Sequence, residues 1–505
     1  MSMSNETPVY ADALTSASTW LQSNAVPKGR DATANDLQLG EPDARHGSVA
    51  FSIRNNPVRQ RRFMGWATPI IMGEMTRQAL HALHNSDTTP IYAAKAFRQA
   101  TAYNQAALDS LDDYKMSKLY PETYAAMTEV PTTPDVGDRT CLRGMFEGCA
   151  GITAVPDGLD TRRAVDMRGM FKNCTALADA TGVDTAYAKR LDSMFEGCTA
   201  LVTVPELTTA RVRSMNGMFK GCTSLTAGPA VDTAGVEDLG HFLDGCTAVT
   251  SVPAYDTALA VAVAYMFAGT ALTTVSTLSL PKAGSTEGLF KNCTALTTVG
   301  TLATGQATSM YNMFSGCTSL VSIGAIDMSM VGNANGMFSG CTALTTLPTL
   351  DVPRLRLAYS MFENCQGLTS VTLEHAGSIH SATDMFSGCT ALTTVNGVED
   401  MRPIQMTSMF KNCTSLVTMS VDTGRAFSIN SLFSGCTNLT TVSALDVGSI
   451  NINVMDGADD PNCIKDAFKD CTALTSVTFR NASARLQALL TPANLGNADL
   501  TVNFV

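Results

Sequence analysis

Hydrophobic residues recur along most of this chain at a spacing that belongs to neither a single helix nor a single strand. From about residue 140 to 480 the same string returns: Met-Phe-x-Gly-Cys-Thr-x-Leu-Thr-x-Val, then a variable stretch with Asp-Thr, then Val-x-x-Met before the next Met-Phe. The marker phenylalanines are Phe146, Phe171, Phe195, Phe219, Phe242, Phe267, Phe290, Phe314, Phe338, Phe362, Phe386, Phe410, Phe433 and Phe468, fourteen units with a spacing close to 24 residues and one longer step of 35 at the end. Within each unit the short Leu-x-x-Val run predicts a strand, and the rest predicts a bend and a return segment. One such unit cannot bury its own apolar side, whereas stacked units share a continuous core.

A period of 20–29 residues with recurring leucine lies in the leucine-rich-repeat range. Leu368-x-x-Val371-x-Leu373, Leu416-x-x-Met419-x-Val421 and Leu474-x-x-Val477-x-Phe479 fit its strand pattern directly. Other units, such as Leu296-x-x-Val299-x-x-Leu302 and Leu344-x-x-Leu347-x-x-Leu350, carry one extra residue, which reads as a bulge or an early turn. Pro205, Pro253 and Pro348 sit there and would end ladder pairing. The expected class is α+β: a right-handed leucine-rich-repeat-like solenoid of about fourteen turns, built of short strands and short helical turns, after a mainly helical or irregular N-terminal module. The expected domains are an anchoring or assembly module over 1–136, the solenoid over 137–480 and a cap over 481–505.

Three ladders invite chemistry, and each has a plainer reading. Thirteen cysteines from Cys149 to Cys471 hold one repeat position, which in the Phe267 unit carries Gly269-Thr270 instead. With no Cys-x-x-Cys pair and no paired histidines they read as buried, free, small thiols. Cys141 and Cys463 each precede a ladder cysteine by eight residues, a spacing that leaves a disulfide in each terminal turn open. The residue before Cys alternates between Gly and Asn (Gly316, Gly340, Gly388 against Asn173, Asn292, Asn364, Asn412), which predicts a left-handed backbone closing a turn. Asp160, Asp184, Asp232, Asp256, Asp327, Asp351, Asp422 and Asp446 offer one carboxylate per unit, too few for calcium, and read as local turn caps.

The candidate recognition surface is the set of threonine pairs Thr273-Thr274, Thr297-Thr298, Thr345-Thr346, Thr393-Thr394 and Thr440-Thr441. They lie between inward Leu and Val, so at least one hydroxyl of each pair points outward. Such columns could contact glycan or protein; threonine also simply favours strands and keeps them soluble.

The N-terminal 136 residues show no such period. Helices are expected over 10–23 and over 91–119, where Ile91, Phe97, Leu108 and Leu119 share one side. Both tryptophans lie here, as do a basic spot at Arg59, Arg61 and Arg62 and the pair His81 and His84, which has no third metal ligand nearby. Residues 131–138 read as a linker.

Charge narrows the partners. The net charge is −11, of which residues 1–140 supply 13 basic and 15 acidic groups and the repeats the remaining 21 and 30. A surface of that sign argues against nucleic acid. No apolar run is long enough for membrane insertion, and no cofactor-binding or catalytic motif is present, so no cofactor, metal or enzymatic activity is expected.

The string at Met313–Ile323 and Met337–Leu347, together with the Asp184–Met194 variant, resembles the BspA-like leucine-rich repeat family. The resemblance covers about two thirds of the chain and implies adhesion or recognition at bacterial surfaces, without fixed site residues. Similar arrays occur in phage tail or capsid proteins. The opening MSMSNETPVYADALTSASTW shows no secretory signal and no lipobox. The leading expectation is therefore a non-enzymatic virion protein, fibre- or spike-like and homo-oligomeric. Residues 1–136 would mount it on other virion proteins, and the array would face a host protein or glycan. The alternatives are a bacterial cell-surface adhesin and an intracellular scaffold.

Overall fold

The computed structural model describes residues 38–39, 51–52, 126–128, 136 and 139–505, apart from 203, 205, 451 and 453–460. The chain divides into two compact units, Met1–Leu119 and Tyr120–Val505. In the first, the described part is an antiparallel pair of two-residue strands, β1 (Gln38–Leu39) and β2 (Phe51–Ser52). The helices expected over 10–23 and 91–119, the tryptophans, the basic spot and the His81–His84 pair lie outside the described residues, as does Pro205. Of the expected linker only Val136 is described, and it is buried.

The second unit is a leucine-rich-repeat-like β-solenoid. Its strands are β3 (Thr274–Ser279), β4 (Thr298–Ala303), β5 (Ser322–Ile323), β6 (Leu350–Asp351), β7 (Ser370–Glu374), β8 (Thr394–Asn396), β9 (Thr418–Met419), β10 (Thr441–Val442), β11 (Leu445–Asp446), β12 (Ser476–Arg480) and β13 (Thr501–Phe504). Each paired strand runs parallel to its neighbour, as in Val275↔Val299↔Ile323. Regular strand covers about nine turns. Before Thr274 the same contacts are isolated parallel bridges, such as Ala227↔Ser251. A second line of bridges joins the opposite side, through Ser309↔Asn333↔Leu357↔Ser381↔Gln405.

The helical turn expected at Met-Phe is absent from the described repeats, whose helical turns are the short 3-10 turns Ala376–Ser378 and Pro461–Cys463. The Met-Phe segment is a pair of tight turns instead: Met337 N–H donates to Ala334 O (3.1 Å) and Cys341 N–H to Phe338 O (3.0 Å), while Phe338 N–H reaches forward to Met361 O (2.8 Å). Hydrogen bonds to the next turn replace the i→i−4 ladder of a helix. The one described α-helix, α1 (Ala484–Leu489), lies in the terminal segment, capped by the Ser483 side chain accepting from Leu486 N–H. Among the described residues the repeats are thus a β-solenoid with little helix.

The core is a set of ladders. Phenylalanine rings stack from Phe146 to Phe219 and from Phe267 to Phe468, with centroids 5.2–5.7 Å apart and planes within 2–15°. Phe242 does not belong to this column. Phe219 N–H donates to Phe242 O as Phe195 N–H donates to Met218 O, so Phe242 occupies the methionine place and Leu243 the phenylalanine place. Its ring consequently meets Phe219 at 83° and Tyr255 at 90°. The period there is an unbroken 24, Phe219 to Leu243 to Phe267. At the 35-residue step the extra chain is accommodated outside the stack, since Phe433 still lies 5.7 Å from Phe468.

All fifteen cysteines are free thiols, so neither terminal turn carries a disulfide. Each ladder thiol beyond the first donates to the phenylalanine carbonyl one turn back, for example Cys365 Sγ to Phe338 O at 3.1 Å. Burial pushes these thiols up, Cys341 and Cys389 to about 12. Thr270, which stands in the ladder position of the Phe267 turn, also donates, but within its own turn, to Phe267 O at 2.8 Å. The position therefore selects a small donor rather than a metal ligand. Thiolate-dependent alkylation of the native protein at pH 8 should be confined to the half-buried Cys141 and Cys463, with all fifteen reacting in denaturant. Native modification of Cys317 or Cys365, read by mass spectrometry, would contradict the buried ladder.

Gly and Asn before Cys are left-handed as expected: φ is 75° at Gly340 and 58° at Asn364. Their alternation has a cause. A Cβ on Gly388 would stand 2.3 Å from Asn364 Oδ1, and one on Gly316 2.3 Å from Asn292 Oδ1. Each Asn amide leans over the next turn, so the turn after an Asn carries glycine.

Candidate recognition face

The strand side of the solenoid is set by the Leu-x-x-Val rungs. Leu296 and Val299 point inward and are buried, which leaves the two threonines between them on the outer surface. The two members of each pair differ. The first bonds to the turn before: Thr297 Oγ1 donates to Thr273 O (2.9 Å), Thr345 Oγ1 to Val321 O (3.4 Å), Thr393 Oγ1 to Thr369 O (3.0 Å) and Thr440 Oγ1 to Val417 O (3.2 Å). These hydroxyls tie consecutive turns together. The second member lies in the strand register and is exposed, or half-buried at Ser322: Thr274↔Thr298↔Ser322↔Thr346, Ser370↔Thr394 and Thr418↔Thr441. Their hydroxyls have no hydrogen-bond partner among the described residues.

Thr274, Thr298, Thr346, Thr394 and Thr441 thus form a column of free hydroxyls, one per turn, with serine continuing it at Ser322 and Ser370. Thr273, Thr297, Thr345, Thr393 and Thr440 form a neighbouring column whose hydroxyls, from Thr297 onward, are engaged by the fold. In this second column valine interrupts threonine at Val202, Val321 and Val417, which are 42–49% exposed. The face combines free donors and acceptors with exposed methyl groups. The valines were overlooked because the repeat reading sought identical residues at one position.

The aspartates act as turn caps. Asp327 Oδ1 accepts from Ser329 N–H (2.9 Å) and Asp422 Oδ1 from Gly424 N–H (2.8 Å). Hydrogen bonds from Arg162 hold Asp160 down to about 2. The adjoining threonines are buried; Thr161 Oγ1 donates one turn ahead to Asp184 O (2.9 Å) and Thr185 Oγ1 to Thr208 O (2.9 Å), whereas Thr233 Oγ1 has no partner among the described residues. Among the described residues no group of three or more His, Cys, Asp or Glu is placed to hold a metal, and no helix is long and apolar enough to cross a membrane.

The family described as "Mycoplasma protein of unknown function, DUF285" matches residues 140–252, 189–297 and 284–398. These segments together span 140–398, which is 259 of 505 residues. The BspA-type leucine-rich repeat region matches residues 356–458. The chain belongs to this family, and its repeats are BspA-type leucine-rich repeats. Among solved structures it is similar to a leucine-rich repeat protein from Bacteroides ovatus (19% identity over 72% of this chain and 86% of that one, TM-score 0.40). It is also similar to a leucine-rich cell surface protein from Faecalibacterium prausnitzii (19%, 68% and 80%, TM-score 0.35) and to a leucine-rich repeat protein of T. pallidum (18%, 48% and 90%, TM-score 0.23). No curated protein matches the sequence. In the BspA-type repeats of this chain, the free hydroxyl column and its valine neighbours therefore stand on the outer face of the strand ladder.

Proposed function

We propose that this BspA-type array is a non-enzymatic adhesin or interaction module of bacterial cell-surface type. On this reading its fourteen repeat units present the strand face to a host protein or glycan. The observation that carries it is the in-register column of uncommitted hydroxyls at Thr274, Thr298, Ser322 and Thr346. A hydroxyl that the fold does not use can both donate and accept, and a rung spacing of ~4.8 Å repeats that offer along the array. Residues 1–136 serve to mount the array. A virion-borne fibre is the other mounting compatible with that layout, and the BspA-type repeats favour the cell-surface one.

Two measurements test the reading. Antibody labelling of intact producing cells should place the array outside the cell; label confined to virions would move the mounting to the particle, and label confined to the cytoplasm would sink both. Binding of the purified chain to host-cell and glycan panels should fall at least about tenfold in a Thr274→Ala, Thr298→Ala, Thr346→Ala variant, since every lost contact worth about 1.4 kcal/mol is tenfold. The matching Thr297→Ala, Thr345→Ala variant should lose stability and retain binding. Equal binding by wild type and the first variant would remove the hydroxyl column from the function.

A further inference from the structure

A second surface carries a pattern of its own. Just past the strand side each turn bends through a corner closed by an i→i+3 hydrogen bond: Leu355 N–H to Val352 O (3.2 Å), Met401 N–H to Val398 O (3.2 Å) and Ala426 N–H to Thr423 O (2.9 Å). Asp351, Glu374, Glu399 and Asp422 lie before or at these corners, and Asp351 and Glu374 are direct neighbours in the β6–β7 register. Arg354, Arg356, Arg402 and Arg425 lie at the corners or just after them. The segments 354–357, 378–381, 402–405 and 425–428 that form this second side hold four arginines and a histidine and no acidic residue. Successive turns are locked in register there, with Arg356 O accepting from His380 N–H (3.0 Å) and His380 O from Ile404 N–H (2.9 Å).

The two stripes ignore each other within the chain. The four arginines are exposed and none forms an ion pair with a described residue. The acids have only weak local partners: Asp351 meets His375 Nδ1 (2.8 Å), Glu399 accepts from Gly397 N–H (3.1 Å) and Asp422 from Gly424 N–H. Among the arginines stand Met330, Leu357 and Phe427, which are 37%, 41% and 57% exposed, beside a groove of about 480 Å³ opened by Gly332 and lined by Arg354 and Arg356. Arginine with aromatic residues and methionine, and no lysine, is the composition of a protein–protein contact rather than of a solvated face.

We propose that this corner edge docks a second copy of the chain, side by side and in the same direction. The charge pattern selects the symmetry. A two-fold axis parallel to the solenoid axis carries the arginine side of one copy onto the acidic side of the other. Arg354 of one copy then meets Asp351 of the other, Arg402 meets Glu399, and Arg425 meets Asp422. A two-fold axis across the solenoid would set arginine against arginine and acid against acid. These three pairings, each formed twice by the two-fold axis, supply register more than affinity, and the burial of Leu357, Phe427 and Met330 supplies the apolar part. This edge is separate from the hydroxyl column, so either assignment can fail without the other.

Sedimentation of the full chain tests the pairing. The wild type is expected to dimerise, with a Kd that rises at least about tenfold when salt is raised from about 0.05 to 0.5 M. The reversal Arg354→Glu, Arg356→Glu, Arg402→Glu should leave acid on both stripes and abolish dimerisation. The reversal Asp351→Lys, Glu374→Lys, Glu399→Lys should do the same with the opposite sign. An equimolar mixture of the two variants should form a one-to-one heterodimer. Circular dichroism establishes that each variant is folded, and a set that fails to fold is replaced by Arg354→Gln, Arg402→Gln, which should weaken the dimer in the same direction. A wild type that stays monomeric at ~100 µM, variants that associate as the wild type does, or a mixture that does not associate would each overturn the proposal.

Discussion

Phe338→Ala should destabilise the solenoid by about 3–5 kcal/mol, the range for removing a fully buried aromatic ring. Phe338 is 0% exposed and stacks between Phe314 at 5.4 Å and Phe362 at 5.5 Å. Its removal opens a cavity that the neighbouring rings cannot close, because the backbone on both sides is held by inter-turn hydrogen bonds such as Phe338 N–H to Met361 O (2.8 Å). Phe338→Leu should cost less than about 1.5 kcal/mol, since it keeps most of the volume. The chain already contains this substitution in effect at Leu243, which fills the phenylalanine place of its turn and is fully buried. In an array whose turns contact only their neighbours, the Ala variant should also split the urea transition, with the parts on either side of the defect melting separately. Denaturation followed by circular dichroism reads both effects. Indistinguishable Ala and Leu variants would mean that filling the phenylalanine place contributes little to cohesion.

Much of this was legible in the chain because a repeat states each position many times over. The phenylalanine column, the buried thiols and the left-handed Gly/Asn site each follow from one residue type recurring at one place. What escaped was set by backbone rather than by residue identity. A second left-handed position lies two residues before each phenylalanine place, and it is filled by Gly336, Ser193, Asn312, Asp384, His241 and even Tyr265, all with φ between 53° and 63°. No consensus marks it, because the register of inter-turn hydrogen bonds imposes the conformation on whatever residue stands there. The Met-Phe segment was expected to be helical for a related reason. Its apolar spacing suits a helical turn, but its amides are claimed by the next turn, which a single-unit reading does not see. Phe242 was misplaced because a phenylalanine in a methionine site looks like a register shift until the hydrogen bonds identify Leu243 as its successor.

The candidate face was legible only by halves. Alternation of Leu and Val predicts that at least one of Thr297 and Thr298 points outward, yet both are threonine, and nothing in the pair says which is spent on cohesion. The division comes from strand pleat. Thr297 stands just before β4, within reach of the Thr273 carbonyl, and Thr298 is the first residue of the strand itself. The corner stripes were hidden for a different reason. Arg354 and Asp351 are three residues apart in sequence and read as an ordinary local pair, and only the geometry leaves them unpaired while aligning each with its own column.

The bulge expected from the extra residue in the Leu296-x-x-Val299-x-x-Leu302 unit leads to the second large effect, at Gly300. Val299 and Leu302 are both buried in β4 although three residues apart, so the strand's alternation slips by one between them. The register steps from Val275↔Val299 to Thr277↔Thr301 around that point. A Cβ on Gly300 would lie 1.5 Å from Ser276 O and 2.7 Å from Ser276 C, both backbone atoms that cannot rotate away. Gly324 repeats the arrangement one turn on, with its Cβ 2.8 Å from Gly300 C. Gly300→Ala must therefore push β4 from β3, and a loss of about 3 kcal/mol or more is expected, well above the ordinary range for a small side chain. Gly284→Ala is the matched control: no heavy atom lies within 4 Å of its Cβ and its φ is ordinary. It should be neutral or stabilise by up to about 1 kcal/mol through the unfolded chain. Hydrogen exchange gives the local readout, because Leu302 N–H donates to Ala325 O (2.9 Å) and Leu280 N–H to Ala303 O (2.8 Å) across the same turns. Both amides should lose protection in Gly300→Ala and keep it in Gly284→Ala. Thr274 and Thr298 flank the displaced rung, so the Gly300 variant should also break the hydroxyl column without touching a hydroxyl. If the two variants melt and exchange alike, the close approach of β3 and β4 at this bulge does not exist in solution.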